Sequence, residues 1–127
     1  MTTPAIMNLI DPVIVNLHYP ASFENNDFDK SEHTRYLKVS YLESRSEQEN
    51  YGVDRVPCIL QIDRCVKSGS GNRDLMVQDV LSAFPKNTEF TSADVDIRID
   101  RAPTVGPSFN VNGWHITPIS IYYEVYR

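Results

Sequence analysis

Val56-Pro57-Cys58-Ile59-Leu60-Gln61-Ile62-Asp63-Arg64-Cys65-Val66 is the stretch on which the fold turns. It is an apolar run between polar segments, too short for a spanning helix, and it reads as a strand. On its N-terminal side lies a charged loop, 43–55, with Gly52 near its end. Before that, Tyr36, Lys38, Ser40 and Leu42 alternate with Leu37, Val39 and Tyr41, the period of a second strand. Two strands joined by a polar loop predict an antiparallel hairpin with a long tip. On its C-terminal side, Lys67-Ser68-Gly69-Ser70-Gly71 is a flexible connection. Met76, Val80 and Phe84 then recur every four residues, with Val77 and Leu81 on the same face. This predicts a helix over about 72–84, with Asn72 as N-cap, Asp74 in the first turn and Pro85 as its stop.

Further out, 5–10 offers a helical turn that Asp11-Pro12 breaks. Val13, Val15, Leu17 and Tyr19 alternate with Ile14, Asn16 and His18, which predicts another strand ending at Pro20. Residues 21–35 read as a long polar loop. Past the helix, Glu89-Phe90-Thr91 pairs briefly. Val95, Ile97 and Ile99 give a strand its core face, and Asp94, Asp96, Arg98 and Asp100 give it a wet one. Residues 101–113, with Pro103, Gly106, Pro107 and Gly113, read as a third loop. In the last strand, Trp114–Tyr126, Ile119, Ile121, Tyr123 and Val125 share a face. Trp114 and Ile116 are out of phase with them, and Pro118 between predicts a bulge or an edge position. The fold expected is α+β: a mostly antiparallel sheet packed by one main helix, in a single domain 1–127 with a short N-terminal arm, 1–12.

Composition sets the outer limits. The chain has 127 residues, 41% hydrophobic and 23% charged, an ordinary balance for one globular domain. No run approaches the roughly 18 apolar residues of a spanning helix. The net charge is -5, and no Lys/Arg cluster marks a nucleic-acid binder. Residues 1–55 carry 9 acids and 5 bases, so most of the acidity lies in the front half. Cys58 and Cys65 are seven apart on one strand, on opposite faces, too far apart to pair within it. Two free thiols and an N-terminus without a basic n-region point to synthesis in the cytoplasm.

Motifs for chemistry are weak. His18, His33 and His115 have no metal-ligand spacing, and core or surface roles outweigh ligation. Asp94, Asp96 and Asp100 read as a solvated face rather than an acid–base pair. Gly69-Ser70-Gly71-Asn72 lacks the Lys-Ser/Thr of a phosphate loop. No catalytic, metal or cofactor residue is assigned, and the chain is expected not to be an enzyme.

Several short patterns, in order, resemble one small phage family. They are Tyr36-Leu37-Lys38-Val39, Gly52-Val53, Cys58-Ile59-Leu60-Gln61-Ile62-Asp63, Ala83-Phe84-Pro85, Val95-Asp96-Ile97 and Pro118-Ile119-Ser120-Ile121-Tyr122-Tyr123. Over roughly 13–126 the chain is similar to the tail terminator-like proteins of long-tailed bacteriophages, of the lambda type. Such proteins usually begin with a longer helix than the one or two turns expected here. The resemblance implies an α+β subunit of a hexameric ring. Such a ring caps the tail tube, stops its polymerisation and joins the neck or connector, and in contractile tails it also meets the sheath. It implies a place in the virion, assembly in the host cytoplasm, and DNA passing through the ring without specific binding. Within that frame the candidate contacts to a neighbouring subunit or the tube are Glu43, Arg45, Glu47, Glu49, Tyr51, Arg55, Arg101, Phe109, Tyr122 and Tyr126. Glu24, Asp27, Asp29 and Glu32 are candidate channel-facing acids. The alternatives are another head–tail joining protein and a small monomeric binding module.

Overall fold

The computed structural model describes residues 4–23, 28–29, 33–42, 55–67, 75–93 and 95–126. Its elements are α1 (Pro4–Val15), β1 (Ala21–Ser22), β2 (Arg35–Leu42), β3 (Arg55–Lys67), α2 (Met76–Ala83), β4 (Glu89–Thr91), β5 (Asp96–Ile99), β6 (Thr104–Val105), β7 (Phe109–Val111) and β8 (Trp114–Tyr126). They build one sheet in the order β1-β2-β3-β8-β5-β4, with β6 and β7 also paired to β8. The stretch that decides the fold is its centre. β3 pairs antiparallel with β2 on one side and with β8 along its whole length on the other.

The sheet is mixed rather than purely antiparallel, because β1 runs parallel to β2. Two helices pack on it where one main helix is expected, and α1 is the longer. The pattern over 13–19 is therefore not a strand. Ile6, Ile10 and Ile14, spaced by four, put one stripe of α1 into the core at 0–1% exposure. Burying three isoleucines is worth about 5–9 kcal/mol gross, against about 3 kcal/mol for a proline inside a helix. Burial wins, so α1 runs through Pro12, which points to solvent. Pro4 opens the helix, where its missing N–H is harmless. His18, with φ of 65°, closes the turn that follows, its N–H donating to the Val15 carbonyl at 3.0 Å.

α2 begins at Met76, later than expected, with Leu75 at the N-cap and no side-chain cap bond. Asn72 and Asp74 lie outside the described residues. Met76, Val80 and Phe84 reach the same core as Leu37, Val39, Leu60, Ile62, Ile97, Ile99, Ile119 and Ile121. Both helices thus cover one face of the sheet. Two polar ties lock this layer. The Tyr41 hydroxyl donates to Asp11 of α1, and the Tyr19 hydroxyl donates to Asp79 of α2 at 2.6 Å.

Two further expectations change. Residues 101–113 are not a plain loop, since they hold β6 and β7. Asn112 and Gly113, with φ of 50° and 84°, make the tight turn that folds β7 back on β8. Pro118 makes no bulge, because β3 and β8 pair residue for residue through Asp63 and Pro118. Its carbonyl accepts from Gly106 N–H at 2.9 Å, so its missing N–H points into the gap between β6 and β7. A Cβ on Gly106 would meet the Pro118 ring at 3.0 Å, so glycine permits this approach.

Candidate functional site

Opposite the helices lies a sheet face that no described helix covers. Strand alternation decides what it shows. In β8 the residues Trp114, Ile116, Pro118, Ser120, Tyr122, Glu124 and Tyr126 point there, and in β5 Asp96 and Arg98 do. The face has two zones.

At the first, charged end, Arg98 sits opposite Glu124 in the register. Its guanidinium lies 3.8 Å from the Glu124 carboxylate and 5.9 Å from the centre of the Tyr126 ring. The Tyr126 hydroxyl donates to the same carboxylate at 3.1 Å. Glu124 is buried, and a buried polar group is costly unless it has partners such as these. Next along the strand, Arg101 stacks 4.6 Å over Tyr122 and reaches Asp100 at 3.3 Å. The Tyr122 hydroxyl lies 3.2 Å from Thr104 Oγ1. Beside this row is a recess of about 290 Å³ lined by Glu89, Thr91, Asp96, Ile97, Arg98 and Tyr126. Each stacked arginine is worth only about 0.5–1 kcal/mol at such exposure. The effect is rather to hold flat, amphipathic groups in place.

At the other end the face is aromatic. Phe28 packs 5.0 Å from Tyr36, and Tyr36 packs edge-on 5.1 Å from Trp114. Cys65 and Ile116 complete the cluster, and His33 stacks on Phe28 at 5.0 Å. Burial first, then the neighbouring Cys65 thiol and Asp63, push the Tyr36 phenol well above its ordinary range. Cys58 faces the helices and Cys65 faces away, neither in a disulfide.

The expected contact residues scatter. Tyr122, Tyr126 and Arg101 come together in the charged zone. Phe109 stands apart on β7, beside Ile116 in the register. Arg55 starts β3 opposite Tyr126, but its side chain lies outside the described residues. So do Glu43, Arg45, Glu47, Glu49 and Tyr51, and the acids Glu24, Asp27 and Glu32. Asp29 is exposed. Asp96 is exposed and Asp100 partly so, as a solvated face requires, and Asp94 lies outside the described residues. Arg98 is the residue that sequence reasoning missed. Its alternation with Ile97 and Ile99 put it on the right face, but only the register brings it to Glu124. The three histidines lie on separate elements, and His115 Nδ1 is 3.0 Å from Asn110 Oδ1. Among the described residues no group of His, Cys, Asp and Glu converges on a metal position, and no helix is long and apolar enough to cross a membrane.

Tyrosine and arginine, held flat on an open sheet, are the residues enriched where proteins meet. The class this defines is a contact domain built on a sheet with one helical layer. The phage tail terminator protein family matches residues 5–123, and the chain belongs to that family. It is a structural protein of the bacteriophage tail, and its place is the virion tail. No curated protein matches the chain. A solved structure without a functional name has the same fold, with a TM-score of 0.75 at 19% identity, covering 97% of this chain and 92% of its own.

Proposed function

We propose that the chain caps the tail tube as a ring, ends tube polymerisation and presents the surface to which the head or neck joins. What supports this reading is family membership over residues 5–123. The ring is hexameric by resemblance to lambda-type terminators, and its partners are the tube protein, the neck proteins and, in a contractile tail, the sheath. Assembly takes place in the host cytoplasm. Tyr122, Tyr126 and Arg101, together with Arg98, give one contact to a neighbour or the tube. The charged segment with Glu43, Arg45, Glu47, Glu49 and Tyr51 gives another, with Arg55 at its end.

DNA passes through such a ring, and acids suit its wall. Glu24, Asp27, Asp29 and Glu32 on the channel side would repel phosphate over about 8 Å at physiological salt. Removing the gene from its phage tests the capping role. The expected result is tubes of uncontrolled length that fail to join heads. Tails of normal length, joined to heads and infectious, would overturn it.

A further inference from the structure

We propose that the outer edge of β4 and the recess beside it take an extended, basic segment of a partner protein, added to the sheet as a further strand. The site is built from this chain's own edge and stands whether or not the chain caps a tube.

β4 ends the sheet on the side away from β1. The hydrogen bonds around it show which groups it leaves over. Ile99 N–H donates to the Thr88 carbonyl at 2.8 Å, and Ser92 N–H donates to the Val95 carbonyl at 2.9 Å. Thr88, Phe90 and Ser92 therefore turn their backbone groups toward β5. By alternation, the N–H and C=O groups of Glu89 and Thr91 turn outward. No described segment pairs with them. Such an edge is a template for another strand.

The side chains of β4 set the pattern an added strand must carry. Glu89 and Thr91 are exposed on the open face. Phe90 is half-buried on the helix side, 6.2 Å from Phe84. In an added strand, a residue opposite Glu89 or Thr91 points over the recess, and the residue opposite Phe90 points to the helix side. The edge thus selects alternation, polar on one face and apolar on the other.

Charge decides which polar residue fits. The recess, about 290 Å³, has Glu89 and Asp96 on its wall and room for a long side chain. Arg98 stands opposite Glu89 on one side and Glu124 on the other, and its ion pair is with Glu124. Three carboxylates thus border one guanidinium. Neither Glu89 nor Asp96 has an ion pair with a described residue. A lysine or arginine supplies the missing charge, and Tyr126 on the same wall offers its ring to the stem. An acidic or neutral segment leaves both carboxylates unpaired.

The test titrates labelled hexapeptides into the full chain at low salt, read by fluorescence anisotropy. One alternates lysine and valine, one holds the same residues in two blocks, and one alternates glutamate and valine. The alternating lysine peptide is expected to bind about 5-fold or more tightly than either of the others. The double variant Glu89→Gln with Asp96→Asn is expected to weaken it about 5-fold or more. Thr91→Pro, which removes an outward N–H that β5 does not use, is expected to do the same. Both variants are checked for folding by circular dichroism and melting. Methylating alternate backbone nitrogens of the peptide tests the strand pairing without altering the protein, and about a 5-fold loss is expected there too.

Equal binding of the block peptide reveals bare attraction of opposite charges and overturns the site, as does no binding at all. A folded double variant that binds like wild type overturns the recess. Unchanged binding by the methylated peptide overturns strand addition. Sedimentation velocity adds a further check: loss of self-association in folded Thr91→Pro would mean that a second copy holds this edge, and would overturn the basic partner. Capping is judged separately, by removal of the gene.

Discussion

Asp11 shows how a single residue is set by its surroundings. Its carboxylate accepts from the Tyr41 hydroxyl, which favours the charged form, but burial disfavours it more and raises the group above its usual value of 3.8. The folded chain therefore holds this proton more tightly than the unfolded one. Stability from Asp11 is fully present below pH 3.8 and is lost as pH rises through its raised value. At neutral pH the ionised group is a small liability. Asp11→Asn keeps an acceptor for Tyr41 and removes the charge. Thermal melts are expected to show Asp11→Asn as stable as wild type or more so at pH 7, with the difference shrinking toward acid. A large loss of melting temperature at pH 7 would contradict this.

At the scale of elements, α1 carries the sharpest lesson. Pro12 removes one hydrogen bond, the one its N–H would have given to Asn8, and solvent surrounds it. Pro12→Ala restores that bond in a helix already held by Ile6, Ile10 and Ile14. Denaturant unfolding is expected to show a gain of about 1–3 kcal/mol. No gain, or a loss, would mean that proline fixes the chain's exit toward β1. The same helix shows where sequence reading stops. Ile6, Ile10 and Ile14 are spaced by four in the sequence, but the break at Asp11-Pro12 and the alternation over Val13–Tyr19 point to a turn and a strand instead. Which periodicity wins depends on a sheet to bury against, which local sequence does not contain. β2 and β5 were legible from a period of two, β3 as a short apolar run between polar segments, and β8 from the alternation over Ile119–Val125. β6 and β7 are too short to have a period. Asn112-Gly113, a strong hairpin turn pair, was the one signal that could have revealed β7. The place of Tyr122 and Tyr126 on the open face was legible from alternation, but the pairing of Arg98 with Glu124 was not, because the two lie on different strands.

At the scale of the molecule, the sheet presents two different faces. One is sealed by α1 and α2. The other carries an Arg–Tyr row at one end and aromatic packing at the other, and it ends in an uncharged rim. The -5 charge is correspondingly uneven, drawn away from β6, β7 and most of β8. Tyrosine and arginine on an open face suit contact with other proteins, in keeping with a structural protein of the phage tail. The most direct measurement is cryo-electron microscopy of the assembled tail at the end that meets the head. A closed ring of this chain on the last ring of the tube is the expected result. Finding the chain elsewhere in the virion, or finding the last tube ring bare of it, would contradict the account.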